Sequence, residues 1–84
     1  MGRAEIGMLA RSKAGHDKDT VYVIIDKDET YVYLADGRIR TISNPKRKKE
    51  KHIQLICARY DLKEADDIAI KRILKVFDKE MRGE

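Results

Sequence analysis

Thr20-Val21-Tyr22-Val23-Ile24-Ile25-Asp26, followed after Lys27-Asp28-Glu29 by Thr30-Tyr31-Val32-Tyr33-Leu34-Ala35, decides the fold class. Both segments are rich in β-branched and aromatic residues and alternate with a period of two. Val21, Val23 and Ile25 oppose Tyr22 and Ile24, while Tyr31, Tyr33 and Ala35 oppose Val32 and Leu34. This is the pattern of strands on a pleated surface. Asp26-Lys27-Asp28-Glu29 supplies turn residues between them, so an antiparallel pair is expected.

Toward the C-terminus, Asp36-Gly37 carries the signature of a type I′ hairpin, whose central residues need positive φ. The return strand is predicted over Arg38 to Ser43, with Arg38 and Arg40 leaving one solvent-facing side. Asn44-Pro45 ends it, because proline has no amide to donate to a ladder. A basic connection, Lys46-Arg47-Lys48-Lys49-Glu50-Lys51, leads to another strand, His52 to Ala58, with Ile53, Leu55 and Cys57 on one face. Toward the N-terminus, Glu5 to Arg11 reads as a first strand of imperfect alternation. Ser12 to Asp19 is a polar loop centred on Gly15. Five short strands over some 55 residues favour a small barrel over a flat sheet, because closure removes exposed edges.

At Asp61 the period changes. Asp61-Leu62-Lys63-Glu64 has the spacing of a capping box. Ala65, Ala69, Ile73, Val76 and Phe77, flanked by Ile70 and Leu74, then recur at helical spacing. Asp66 and Asp67 suit the positive end of the helix dipole, and Lys79 and Arg82 the negative end. A C-terminal helix is predicted over 62–81. With 84 residues a second independent core is not expected, so residues 1–60 form the barrel and 61–84 a helix packed on or beside it.

Charged residues are 40% of the chain and hydrophobic ones 42%, in short separated runs, which suits a soluble globular domain. No apolar run approaches the roughly 20 residues that span a bilayer, so no membrane segment is expected. The start lacks a secretory pattern, and Ile6 stands where a myristoylation signal wants Ser or Thr. The lone Cys57 reads as a small buried hydrophobe, and a reducing cytoplasm fits best. Net charge is +4, but residues 1–60 carry 13 basic and 8 acidic side chains against 6 and 7 in 61–84. The positive field belongs to the barrel, which favours a polyanionic partner.

The stretch Ile6-Gly7-Met8-Leu9-Ala10-Arg11-Ser12-Lys13-Ala14-Gly15-His16-Asp17-Lys18, with the strand through Ile25 and then Ala35-Asp36-Gly37, resembles a KOW motif. In particular it resembles the small bacterial KOW-domain RNA-binding proteins. These in turn are similar to the archaeal and eukaryotic large-subunit ribosomal protein L-fourteen of the e type. The resemblance covers roughly residues 5–53, and the helix only in outline. It implies a mainly β fold, an SH3-like barrel of the translation-protein type, whose first loop approaches RNA around a characteristic glycine matched by Gly15. Such a residue can adopt positive φ and lets backbone come close to a ligand. In one departure, Asp19 stands where family members often carry a second glycine.

The candidate RNA-binding residues are therefore Arg11, Ser12, Lys13, Gly15, His16 and Lys18 in and beside the loop, Arg38 and Arg40, and Lys46, Arg47, Lys48, Lys49 and Lys51. The cations would neutralise phosphates. Asp17 and Asp19 place opposing charge in the same loop. Tyr22, Tyr31, Tyr33 and Tyr60 could stack on unpaired bases if one face presents several of them, although strand tyrosines more often pack with the hydroxyl kept wet. Zinc spacing, a phosphate-binding glycine loop and a nucleophile elbow are all lacking, so no metal, cofactor or catalytic residue is expected. The expectation is a non-catalytic RNA-binding protein of the ribosome or translation machinery, acting through RNA shape and backbone. The competing expectation is a protein-interaction module that meets ribosomal or transcription proteins through the barrel and any surplus apolar surface on the helix.

Overall fold

The computed structural model describes residues 3–63 and 65–81. Five strands, β1 (Met8–Ser12), β2 (Val21–Lys27), β3 (Tyr31–Ala35), β4 (Lys46–Lys49) and β5 (Ile53–Arg59), precede one helix, α1 (Asp67–Met81). A single 3-10 turn, Glu50–His52, joins β4 to β5. All strand pairs are antiparallel, in the order β4-β3-β2-β1-β5. The ladder shifts register between Met8 and Leu9 and again between Ile24 and Asp26. Irregularities of this kind increase local twist, and the sheet curls into a half-barrel of the small SH3-like kind.

The curled sheet buries both faces of its central strands. Met8, Ala10, Tyr22, Ile24, Val32, Leu34 and Ile53 fill the inner face. Leu9, Val23 and Ala35 on the outer face are covered by Ile70 of α1, with Ile73, Leu74 and Phe77 packed around them. The successive residues Met8, Leu9 and Ala10 of β1 are therefore all buried, which is why its alternation is weak in the sequence. No helix among the described residues is long and apolar enough to cross a membrane.

The fourth strand is not where the hairpin signal puts it. Arg38 to Ser43 forms no strand beyond a single Thr41–Asn44 bridge, and β3 pairs instead with the lysine run, Leu34 opposite Lys46 and Tyr31 opposite Lys49. Hydrogen bonds to Asp36 and Asp67 hold residues 36–42 away from the ladder. The Asp36 carboxylate accepts from the Arg38 and Arg40 amides at 2.8 and 3.0 Å, side-chain bonding that competes with sheet pairing. Ile39 is 82% exposed, so burial gives it no reason to face the core. The Ile42 amide donates to Asp67 Oδ1 at the start of α1. Only Gly37 of the Asp36-Gly37 pair has positive φ (77°), so the turn is not type I′. Lysines suit the resulting edge strand, because their charge discourages pairing with another chain.

The helix also begins later than its capping-box spacing suggests. Asp61 accepts from the Lys63 amide in a local turn. Asp66 caps α1 instead, its Oδ1 accepting from the Ala69 amide at 2.9 Å. Glu64, the other half of the expected box, lies outside the described residues, as do Arg82 and the Cys57 side chain. Val76, expected on the packed face, is 46% exposed, because Ile70, Ile73, Leu74 and Phe77 already define the contact stripe.

Candidate nucleic-acid interface

The loop between β1 and β2 is closed on itself by backbone hydrogen bonds. The Ser12 amide donates to Thr20 and the Asp19 amide to Ser12, while Lys18 and Thr20 donate back to Gly15 and Asp17. Gly15 has φ 87°, as the loop reading expects. Asp19 has φ 73° and is the one described non-glycine residue with positive φ. It thus takes up the conformation a glycine would, at a strain of about 1–2 kcal/mol. The loop keeps its turn there at the cost of that strain and an added negative charge.

Asp17 is the hub of the loop. Its carboxylate receives Lys46 Nζ at 2.9 Å, Lys48 Nζ at 3.0 Å and the Tyr22 hydroxyl at 3.0 Å. Ser12 Oγ lies 2.9 Å from Asp17 and 3.0 Å from the Ala14 carbonyl, with one proton to give to either. Lys48 Nζ donates to the Ala14 carbonyl as well, at 2.9 Å. Partial burial works against ionisation of Asp17. The bonds from Lys46, Lys48, Ser12 and Tyr22 outweigh it and hold the carboxyl well below the usual carboxylate range. Burial first, and then the bond to Asp17 and its charge, push the Tyr22 phenol up to about 12.

This network divides the candidate residues into groups. Lys46 and Lys48 lie opposite Leu34 and Val32, on the inner side of β4, and are spent on fastening the loop. Ser12 is fully buried and belongs to the same latch. Lys13, His16 and Lys18 are exposed around Gly15, and the Lys13 amide donates to the His52 carbonyl, placing the loop base beside the turn that carries the exposed Lys51. Arg47 and Lys49 point the other way from β4 and are exposed. The Arg47 guanidinium sits 4.5 Å from the centre of the Tyr31 ring, a cation–π contact.

Three arginines stand elsewhere. Arg11 shares a cleft with Asp19, Leu74, Phe77 and Asp78, against the C-terminal half of α1. Arg38 lines a shallow groove with Ile68, Lys71, Arg72 and Lys75, and the Arg40 backbone closes the turn begun at Asp36. The lysine run is thus two-faced, which its sequence hides only when it is taken for a loop. The role of Asp17 left no sequence signal, since its lysine partners lie about thirty residues away. The chain matches no protein-family model, and no curated protein matches it.

Proposed function

We propose that the protein is a non-catalytic RNA-binding module of the cytoplasm that grips structured RNA, ribosomal RNA foremost, and serves ribosome structure, assembly or translation. The observation that carries this reading is the set of exposed cations: Lys13 and Lys18 on a loop that Asp17 ties to β4, Lys51 beside the base of that loop, and Arg47 and Lys49 on the opposite side of β4. Preorganised cations neutralise phosphates with little ordering cost, and Gly15 leaves the loop surface bare of Cβ for close backbone approach. The KOW resemblance around Gly15 supplies RNA as the polyanion. Recognition by loop shape and phosphate contact reads RNA architecture more than base edges.

Crosslinking in cells followed by sequencing of the bound RNA tests this. Enrichment of ribosomal or precursor RNA is the expected result. Recovery of proteins with no RNA enrichment would instead favour a docking role, for which Ile68 and Val76, 63% and 46% exposed on α1, offer apolar surface.

A further inference from the structure

On the outer face of the sheet, α1 packs with Leu9, Val23 and Ala35, and Val21, Ile25 and Ile56 belong to the same cluster. The rest of that face carries Tyr31 and Tyr33 on β3, half-exposed, directly opposite Lys49 and Arg47 on β4. We propose that this β3–β4 face is a stacking platform for unpaired nucleotides, holding a single-stranded RNA segment. The proposal rests on the RNA reading above and adds to it a second, chemically different mode of contact.

Four features suit that occupant. Two residues apart on one strand, the tyrosines stand about 6.6 Å apart along the chain, an arrangement in which successive bases each meet a flat surface, the ring at Tyr33 and the guanidinium that covers the ring at Tyr31. Arg47 lies over Tyr31 and presents a flat guanidinium, itself a surface on which bases stack. Tyr33 is braced at its outer end, its hydroxyl donating to Asp28 Oδ2 at 3.0 Å. The Asp28 carboxylate is in turn held ionised by the amides of Tyr31 and Thr30, so the ring needs little ordering on binding.

Charge varies across the face in a way that fits a nucleotide strand. Arg47 and Lys49 line the β4 side, the tyrosines run down the middle, and Asp26 lies opposite Tyr33 on β2. Phosphates are drawn to β4 and repelled from β2, which turns the bases inward onto the rings. A face that served only to shield a sheet edge would need the lysines and no aromatic row beside them.

The test compares a short oligouridylate carrying a fluorescent base analogue with a duplex RNA at low salt, using the full chain, Tyr31→Leu/Tyr33→Leu, and Tyr33→Phe. The wild type is expected to quench the analogue on binding. The double variant, folded by circular dichroism, is expected to lose about tenfold or more in oligouridylate affinity, with duplex affinity held within about twofold. Tyr33→Phe keeps the ring and is expected to retain the quench, which covers the case in which the double variant does not fold. Arg47→Lys should lose quench while the salt dependence stays put, because charge is kept and the plane is lost. Oligouridylate binding that is unaffected by loss of the tyrosines, or binding without quench, overturns the platform while duplex binding leaves the RNA reading standing. Binding of neither RNA by the wild type overturns both.

Discussion

Asp17→Ala is expected to cost about 3 kcal/mol of folding stability, the range for leaving a poorly solvated charge without its partner. In a domain of this size that corresponds to a fall of roughly 15 °C in melting temperature. The reason is the number of groups the carboxylate serves. Lys48 and Asp17 are 10% and 12% exposed in their side chains, so water replaces little of what the lysine loses, whereas Lys46 at 25% is partly resolvated. Ser12 keeps the Ala14 carbonyl, but the Tyr22 hydroxyl loses its acceptor. Thermal or urea unfolding measures the change. A loss below about 0.5 kcal/mol, the level of an ordinary surface substitution, would mean that the latch does not form.

The same cluster sets the pH dependence. Because the folded state holds the Asp17 carboxyl below its ordinary value of 3.8, the unfolded chain binds that proton more tightly. The stability it contributes is full above the ordinary carboxylate range and is lost as pH falls through 3.8 toward the folded value. Tyr22 works in the opposite direction. Its phenol is raised from 10.0 to about 12, so its contribution is full below pH 10 and is lost as pH rises through about 12. Asp17→Asn should keep an acceptor for Ser12 and Tyr22 while flattening the acid limb and shrinking the alkaline one. An unchanged acid limb in that variant would assign the effect to other carboxylates.

Gly37→Ala is expected to cost about 3 kcal/mol or more, by a mechanism that can be separated from backbone strain alone. At φ 77° an L-residue carries about 1–2 kcal/mol of strain. The added Cβ would also strike the Asp67 carbonyl oxygen and come within 3.0 Å of the Lys71 amide, both backbone groups at the start of α1. The turn and the helix cannot both stay in place. Gly15→Ala is the control. There φ is 87°, but the nearest atoms to the new Cβ are the Asp17 carboxylate at 3.5 Å and Lys48 Nζ at 3.7 Å, ordinary contacts. Its cost should stop at the strain. Hydrogen exchange should show faster opening of residues 67–74 in the Gly37 variant only. Equal losses in the two variants would contradict the close approach of the turn to α1.

These two sites lie where the sequence was least legible. The Thr20–Ala35 pair of strands, the β5 strand and the helix stripe of Ile70, Ile73, Leu74 and Phe77 could all be read from periodicity, because burial on defined faces dictates it. The turn at Asp36-Gly37 misled, since a local hairpin preference yields to a helix terminus that offers Asp67 and leaves room only for a glycine. β4 was hidden for a related reason. Lysine has low strand propensity, and the run pairs because β3 supplies an open edge and Asp17 draws alternate amines inward. On the site side, the exposed cations around Gly15 were legible as charges. Which of them are free was not, because that depends on contacts between residues distant in sequence. The pairing of Tyr31 and Tyr33 on one face followed from alternation, but their neighbours Arg47 and Lys49 needed the true register.

The most direct test of the central claim is a titration of the wild-type protein and of the variant with Lys13, Lys18, Arg47, Lys49 and Lys51 all changed to alanine against a labelled structured ribosomal RNA, repeated over a range of salt. For the wild type, affinity is expected to fall with salt at a log–log slope of about −4, as these five exposed cations release counterions from phosphates. The variant should bind weakly, with a slope near zero. Failure of the wild type to bind at low salt, or a variant that keeps both affinity and slope, would contradict it.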